Sequence, residues 1–187
     1  DTIFRALKLG VPDSVEASSS ELCDESYPKA SLIHFNFPVA GSMPIELTWY
    51  DGGLLPRLPS EYLGNITLDK EGLGFAGQRF SILCDFTGGK PRLLPEVAAK
   101  NIPEPPKTLP RSIGHEREWI EACKGNKEVV PAANFEFSAK VTEALCLGNI
   151  AVRTGKRLSW DSAAMKITNS DEAQKLVRRE YRRGWEL

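Results

Sequence analysis

The residues best suited to bind a ligand are Trp49, Tyr50 and Asp51, which end a strand-like pattern just before Gly52 and Gly53. Two amphipathic aromatic rings beside a carboxylate can stack on a sugar or polyol and hydrogen-bond to its hydroxyl groups. The same residues also fit a structural role, in which the strand ends at an Asp-Gly turn and Asp51 bonds to its own backbone. The sequence leaves both interpretations open.

A second candidate pair is Arg111 and His115, which lie just before and at the start of a helix pattern over Gly114–Cys123. Ser112 or Gly114 is expected near the N-cap of that helix. A histidine at a helix start can face a pocket, and a surface or capping histidine is the common alternative. Neither a Ser-His-Asp order nor a GxSxG motif is present, so the sequence does not predict a hydrolase triad.

The run Gly72–Gly77 (GLGFAG) matches the GxGxxG pattern, whose glycines let a backbone approach a pyrophosphate at a helix N-terminus. That motif must open a helix, but residues Gln78–Phe86 alternate as a strand. We therefore interpret the run as a Gly-rich connection between strands. No other nucleotide motif occurs, so we expect this chain itself to hold no cofactor.

Composition excludes several classes of protein and site. The 187 residues carry 24 Lys and Arg against 25 Asp and Glu, a formal net charge of -1 without the basic excess of a nucleic-acid-binding protein. No apolar run reaches the roughly 18 to 20 residues of a membrane helix. Four scattered cysteines and two histidines predict free thiols and no zinc site.

The C-terminal run Arg178–Leu187 combines four arginines with Tyr181 and Trp185. In a chain of this net charge we interpret it as a helix face that carries intramolecular or subunit ion pairs, in preference to a nucleic-acid contact. We expect Trp185, which follows Gly184, to fold back as an anchor.

Hydrophobic periodicity predicts the elements that must position these residues. Three strands with short turns are expected to form an antiparallel meander, followed by shorter strands that bring the sheet to about five or six, and then by a helical half. The expected strands are Ser14–Leu22, Ala30–Phe37, Ile45–Tyr50, Ile66–Leu68, Gly74–Ala76, Phe80–Phe86 and Lys156–Trp160, with a loop over Gly52–Ser60. The expected helices are Thr2–Leu9, Gly114–Cys123, Asn134–Arg153 and a helix capped by Ser170 that runs through Glu180.

Seven segments together resemble the C-terminal domain of bacterial oxidoreductases of the glucose-fructose oxidoreductase, inositol dehydrogenase and rhizopine catabolism family. They are SVEASSSEL, ESYPKAS, ELTWYDGGLLP, GKPRLLPE, PPKTLPRSIGHEREWIEACKGN, TGKRLSWD and EYRRGW. The resemblance spans nearly the whole chain, and several spaced motifs in one order are more specific than any single motif.

The resemblance implies an α+β fold with a large, mostly antiparallel open β-sheet and helices packed on one face. The other face of the sheet commonly packs against a second subunit in this family, so we expect a homo-oligomer. In the family an N-terminal Rossmann domain binds NAD(P), and a Lys from a Glu-Lys-Pro motif acts with an Asp and a His. This sequence contains none of these parts, so we expect the 187 residues alone to be inactive.

We expect residues 1–187 to form a single domain, the substrate-side and assembly half of a sugar or polyol oxidoreductase. The residues expected near the substrate cleft between the domains are Trp49, Tyr50, Asp51, Arg111 and His115. The chain opens at Asp1, a few residues after the expected catalytic histidine, and we interpret it as a fragment. Two alternatives stay open, an NAD-dependent glycosidase of the same family and a non-enzymatic dimeric binding module. The substrate, the choice of NAD or NADP and the compartment, bacterial cytoplasm or periplasm, are not determined.

Overall fold

The computed structural model describes residues 1–23, 25–58 and 66–186. They fall into two compact units, the first made of Asp1, Ile3–Arg57 and Val141–Leu187 and the second of Thr2 and Leu58–Lys140. Each unit contains one antiparallel sheet. Of the loop expected over Gly52–Ser60, residues 59 and 60 lie outside the described residues.

Runs of strands and runs of helices follow one another along the chain, as is typical of an α+β fold. In chain order the elements are α1 (Thr2–Leu7), β1 (Ser14–Ser19), β2 (Ser31–Phe37), β3 (Ile45–Asp51), β4 (Leu73–Ala76), β5 (Ser81–Cys84), β6 (Arg92–Leu94), α2 (Glu96–Ala99), α3 (His115–Cys123), α4 (Phe135–Thr154), β7 (Leu158–Asp161), β8 (Lys166–Ile167) and α5 (Asp171–Gln174). None of the described helices is long and apolar enough to cross a membrane.

The first unit is built on a five-stranded antiparallel sheet of order β3-β2-β1-β7-β8. Strand β2 alternates strictly, with Ile33, Phe35 and Phe37 buried and the residues between them half-buried. Because successive side chains of a strand point to opposite faces, this alternation gives the sheet one apolar and one polar face. The predicted antiparallel meander of β1, β2 and β3 and the α+β class are confirmed.

The apolar face is covered by helices. Helix α4 packs against β1 and β2, where a Cβ atom added at Gly148 would lie 2.9 Å from Cζ of Phe35. On the same face Phe4 of α1 meets Phe37 edge-on, with ring centroids 5.4 Å apart. The buried indole of Trp160 donates a hydrogen bond to Glu143 of α4, 2.6 Å away. The prediction of an open sheet with helices on one face is confirmed.

The second unit holds a three-stranded antiparallel sheet of order β4-β5-β6. The run Gly72–Gly77 forms β4 and its ends, and the next element is β5 and not a helix. A Cβ atom at Gly72 would lie 2.9 Å from the carbonyl oxygen of Cys84, and one at Gly77 would lie 2.7 Å from that of Phe80. These glycines let the two strands approach each other closely, which confirms the interpretation as a strand connection.

Two sequence predictions about the sheet were wrong. Residues Ile66–Leu68 form no strand. Strands β4 and β5 do not join the main sheet but pair with β6, which the sequence did not predict. The main sheet is completed by β7 and the unforeseen two-residue strand β8. Strand pairing between distant segments depends on tertiary packing, which local periodicity does not contain.

The last helix is shorter than predicted. The side chain of Ser170 caps α5 by accepting a hydrogen bond from the backbone of Ala173, as expected, but the helix ends at Gln174 and not at Glu180. Gln174 accepts a hydrogen bond from the backbone of Ile167 and so ties α5 to β8. Beyond Gln174, basic residues are spaced three and four positions apart, so in a longer helix they would lie on one face and repel one another. This repulsion disfavours continuation of α5.

A carboxylate organises the turn between β5 and β6. Asp85 accepts hydrogen bonds from the backbone and hydroxyl groups of Thr87, the latter at 2.6 Å, and from the backbone of Gly89 at 2.8 Å. The hydroxyl of Thr87 is the main reason that the pKa of Asp85 lies below its ordinary value, and Lys90 adds a weaker charge effect.

Replacing Gly148 with Val tests the contact between helix and sheet. We expect Gly148→Val to lower the free energy of unfolding by about 1 to 3 kcal/mol, because the added atoms overpack the site against Phe35. Asn149→Val, at an exposed position of the same helix, is the matched control and should cost only a few tenths of a kcal/mol. Urea denaturation measures both, and equal losses would contradict the proposed contact.

The turn at Asp85 predicts a pH-dependent contribution to stability. We expect Thr87→Val to raise the pKa of Asp85, and Lys90→Gln to raise it less. Because the folded-state pKa is lowered, the stabilisation is present above the unfolded-state pKa and is lost as the pH falls through the folded value. Titration of the Asp85 carboxyl carbon by NMR measures the shifts. A larger effect of Lys90→Gln would show that charge, and not the hydroxyl, dominates.

Candidate functional site

The helix-free face of the five-stranded sheet, called here the open face, gathers the polar side chains of the first unit. Strand register assigns to it the residues that alternate with the buried ones on each strand. On strands β1, β2, β3 and β7 they are Ser14, Glu16, Ser18, Leu32, His34, Asn36, Glu46, Thr48, Tyr50 and Ser159. The sequence predicted strand Ala30–Phe37 but did not predict a site on this face.

A histidine with a carboxylate neighbour lies in the middle of the open face. Nδ1 of His34 is 3.0 Å from the hydroxyl of Thr48, its cross-strand partner, and 3.3 Å from a carboxylate oxygen of Glu46. A proton on Nδ1 can be donated to either group, which leaves Nε2 as an acceptor. The arrangement can therefore hold a proton or accept a hydrogen bond from a ligand.

A second cluster orients the end of strand β2. The side-chain amide of Asn36 donates a hydrogen bond to the carboxylate of Asp13 at 2.9 Å, and the hydroxyl of Ser14 lies 3.1 Å from the same oxygen. The backbone of Asp13 also donates to the carbonyl of Asn36. These bonds hold β1 and β2 in register at this edge.

The two clusters border a shallow depression of about 290 Å³ on the open face. Its charged and ionisable lining groups are Glu16, His34, Glu46 and Arg157. Neither Glu16 nor the guanidinium of Arg157 has a hydrogen-bond or ion-pair partner within residues 1–23, 25–58 and 66–186. A depression this open cannot enclose a substrate, but it presents both signs of charge to a partner surface.

The two aromatic rings predicted to form a site at the end of β3 lie on opposite faces of the sheet. Trp49 stands opposite Ile33 and Tyr50 opposite Leu32, so the two rings point to opposite faces. Both rings are accessible, with exposed fractions of 51% for Trp49 and 37% for Tyr50. One ligand molecule therefore cannot stack on both rings.

Asp51 is the last residue of β3 and pairs with Ser31. The strand must end there because Gly52 has a positive φ of 72°, and a Cβ atom at Gly52 would lie 2.1 Å from the carbonyl oxygen of Lys29. The exposed carboxylate of Asp51 thus has a fixed backbone position beside Tyr50.

Arg111 and His115 belong to the second unit, whereas Trp49, Tyr50 and Asp51 belong to the first. Both Arg111 and His115 are exposed. His115 is the first residue of α3, which follows Gly114 as the N-cap, and the hydroxyl of Ser112 accepts a hydrogen bond from the backbone of Gly114 at 3.0 Å. The expected helix start is confirmed, and its role in ligand binding stays a prediction.

The cysteines behave as predicted from their spacing, since all four are free thiols. Hydrogen bonds from the backbone of Glu25 and from Ser26 lower the pKa of the exposed Cys23 thiol, whereas burial and the charge of Asp85 raise that of Cys84. Over the part of the chain that the structure describes, no three His, Cys, Asp or Glu side chains are grouped as a metal site would require.

Comparison with known proteins gives no relative from which a site could be transferred. No protein-family profile matches the chain, and no curated protein matches it either. The function must therefore be argued from the fold and from the residues of the two candidate regions.

Because Trp49 and Tyr50 point to opposite faces of the sheet, we expect a sugar to bind to only one of the two rings. With myo-inositol or glucose as the probe, we expect Tyr50→Leu to weaken binding about fivefold or more, because Tyr50 lies on the polar face, and Trp49→Leu to change it less than about twofold. Chemical-shift titration of the chain by NMR provides the affinities. Equal losses in the two variants would be incompatible with rings on opposite faces.

Proposed function

We propose that this chain is the substrate-side and assembly domain of an NAD(P)-dependent oxidoreductase that acts on a sugar or polyol. The observation that carries the proposal is the five-stranded open sheet with helix α4 packed against strands β1 and β2. This architecture is what the resemblance to the glucose-fructose oxidoreductase, inositol dehydrogenase and rhizopine catabolism family implies. Two observations thus support the proposal, the resemblance of the sequence and the α+β fold class of the structure.

In this proposal the chemistry is divided between two domains. NAD(P) belongs to a Rossmann domain, the Lys of the reaction belongs to a Glu-Lys-Pro motif, and the Asp and His belong to a segment just before the helix that leads into the sheet. This chain contributes binding groups to the substrate side of the cleft. Tyr50 and Asp51 of the first unit offer a ring and a carboxylate for sugar hydroxyl groups. Arg111 and His115 of the second unit are separate candidates that offer hydrogen-bond donors. Trp49 remains a candidate on the opposite face of its strand.

The open face supports the assembly role. It combines Glu16 and Glu46 with Arg157 and His34, so a copy related by a twofold axis could offer the opposite charge to each group. The same face would serve a non-enzymatic dimeric binding module, which is the second candidate function. The NAD-dependent glycosidase differs in reaction outcome, and product analysis of the parent enzyme distinguishes it from a dehydrogenase.

The decisive experiment is to read the coding DNA immediately upstream of Asp1. We expect it to encode a strand, a GxGxxG motif, a helix and, later, Glu-Lys-Pro followed by an Asp and a His. A start codon at this point would instead support the stand-alone binding module, and ligand screens would then replace assays of hydride transfer.

Titration of the chain with NAD+ and NADP+ gives a biochemical prediction. We expect no stoichiometric binding by isothermal titration calorimetry, because Gly72–Gly77 is a strand connection and not the start of a helix. We also expect no reduction of NAD+ in the presence of glucose or myo-inositol. Saturable binding of either dinucleotide at one equivalent would contradict the proposal that the cofactor binds to a separate Rossmann domain.

Self-association provides a further prediction. We expect a dimer or larger oligomer at micromolar concentration by light scattering, and we expect Ser18→Arg to shift it toward monomer, because it places an unpaired charge on the open face. Asn149→Arg, on the exposed side of α4, adds the same charge elsewhere and should leave the mass unchanged. A monomeric wild-type chain would count against assembly through this face.

A further inference from the structure

The C-terminal segment forms an ordered turn that brings a cation onto an aromatic ring. The backbone of Trp185 donates a hydrogen bond to the carbonyl of Arg182 at 3.0 Å, and Gly184 has a φ of 82°. Because a turn of this kind places its first and fourth residues side by side, the guanidinium of Arg182 lies over the indole of Trp185, 4.4 Å from the ring centroid. The carboxylate of Glu186 accepts a hydrogen bond from the backbone of Gly184 at 2.8 Å.

This turn forms one side of a cleft of about 320 Å³. The cleft is lined by Arg179, Tyr181, Arg182 and Trp185, so two guanidinium groups and two aromatic rings face the same space. Its volume lies near the lower end of the range for small-molecule pockets. Trp185 is 64% exposed, so the prediction that it folds back as an anchor was wrong.

The C-terminal segment carries four arginines against two glutamates, Glu180 and Glu186. None of the four arginines makes an ion pair with residues 1–23, 25–58 or 66–186, so the predicted intramolecular ion pairs are not found there. The arginines are Arg178, Arg179, Arg182 and Arg183. In a protein with a net charge of -1, this is a local concentration of charge beside aromatic surface.

We propose that the cleft binds the oxyanion of a small organic molecule, a phosphate or carboxylate group, whose attached ring or carbon skeleton lies against Tyr181 and Trp185. A guanidinium that stacks through its face keeps the N–H groups at its edge available for an oxyanion. Arg182 is held in that way by Trp185, and Arg179 supplies a second set of donors to the same space. This site is separate from the candidate residues of the proposed function and does not depend on them.

A long polyanion is the less suitable occupant. Nucleic acid binding uses an extended basic surface that follows many phosphates, whereas the cleft here is lined by two arginines and the whole chain has no basic excess. The two guanidinium groups that face the cleft are enough to bind one oxyanion.

The test is a titration of the 187-residue chain by isothermal calorimetry with inorganic phosphate, glucose 6-phosphate and gluconate, and with glucose as the uncharged control. We expect saturable binding of glucose 6-phosphate or gluconate, weaker binding of inorganic phosphate, and no glucose binding that depends on Arg179 or Arg182. Tighter binding of glucose 6-phosphate than gluconate would assign the oxyanion as phosphate, and the reverse order would assign it as carboxylate.

Paired variants distinguish a specific binding site from general attraction of an anion to positive charge. We expect Arg179→Gln and Arg182→Gln each to weaken binding about tenfold, because each removes charge-assisted hydrogen bonds. Arg183→Gln removes the same charge from the same segment but does not line the cleft, and should change affinity less than about twofold. Thermal denaturation checks that the variants fold, which is expected because all three positions are exposed.

Two results would overturn the proposal. One is an equal loss in Arg182→Gln and Arg183→Gln, which would indicate attraction to net charge and not a site. The other is the absence of saturable binding of every small anion to the folded wild-type chain, including the case in which only single-stranded RNA or an acidic peptide binds.

Discussion

The close packing of helix α4 on strands β1 and β2 is the constraint on which the first unit depends. Gly148 leaves no room for a side chain beside Phe35, so the helix approaches the sheet at its centre. Side chains alternate along each strand, so the choice of the face that α4 covers also determines which residues remain on the other face. The set of polar side chains on the open face follows from this single contact.

The open face is polar, and this changes the physical reason for assembly. An apolar face would have to be buried, whereas a polar face of an antiparallel sheet is stable in water. Association through this face would therefore depend on charge complementarity and hydrogen bonds more than on the hydrophobic effect. Such an interface is sensitive to salt, which screens exposed charges within about 10 Å at ordinary ionic strength.

Short hydrogen-bonded turns position most of the remaining chemical groups. Asp85 organises a turn of the second unit, Ser112 and Gly114 set the start of α3, and the turn ending at Trp185 places Arg182 on an indole ring. In each turn a side chain or a glycine allows a local backbone conformation that exposes a charged group in a defined direction. These groups require no deep core, which is why exposed segments can carry them.

The sequence alone determined the features that depend on neighbouring residues. The periodicity of Ala30–Phe37 predicted strand β2, Gly114 and Ser170 predicted helix starts, and the strand after Gly77 excluded a nucleotide-binding helix. Only the tertiary structure decided which strands pair, that β4 and β5 leave the main sheet, and which of Trp49 and Tyr50 lies on the open face. It also brought His34 within 3.3 Å of Glu46 and placed Arg157, from a distant part of the chain, on the same depression. Local periodicity records only the face on which a residue lies, whereas neighbours across strands are set by register and by long-range packing.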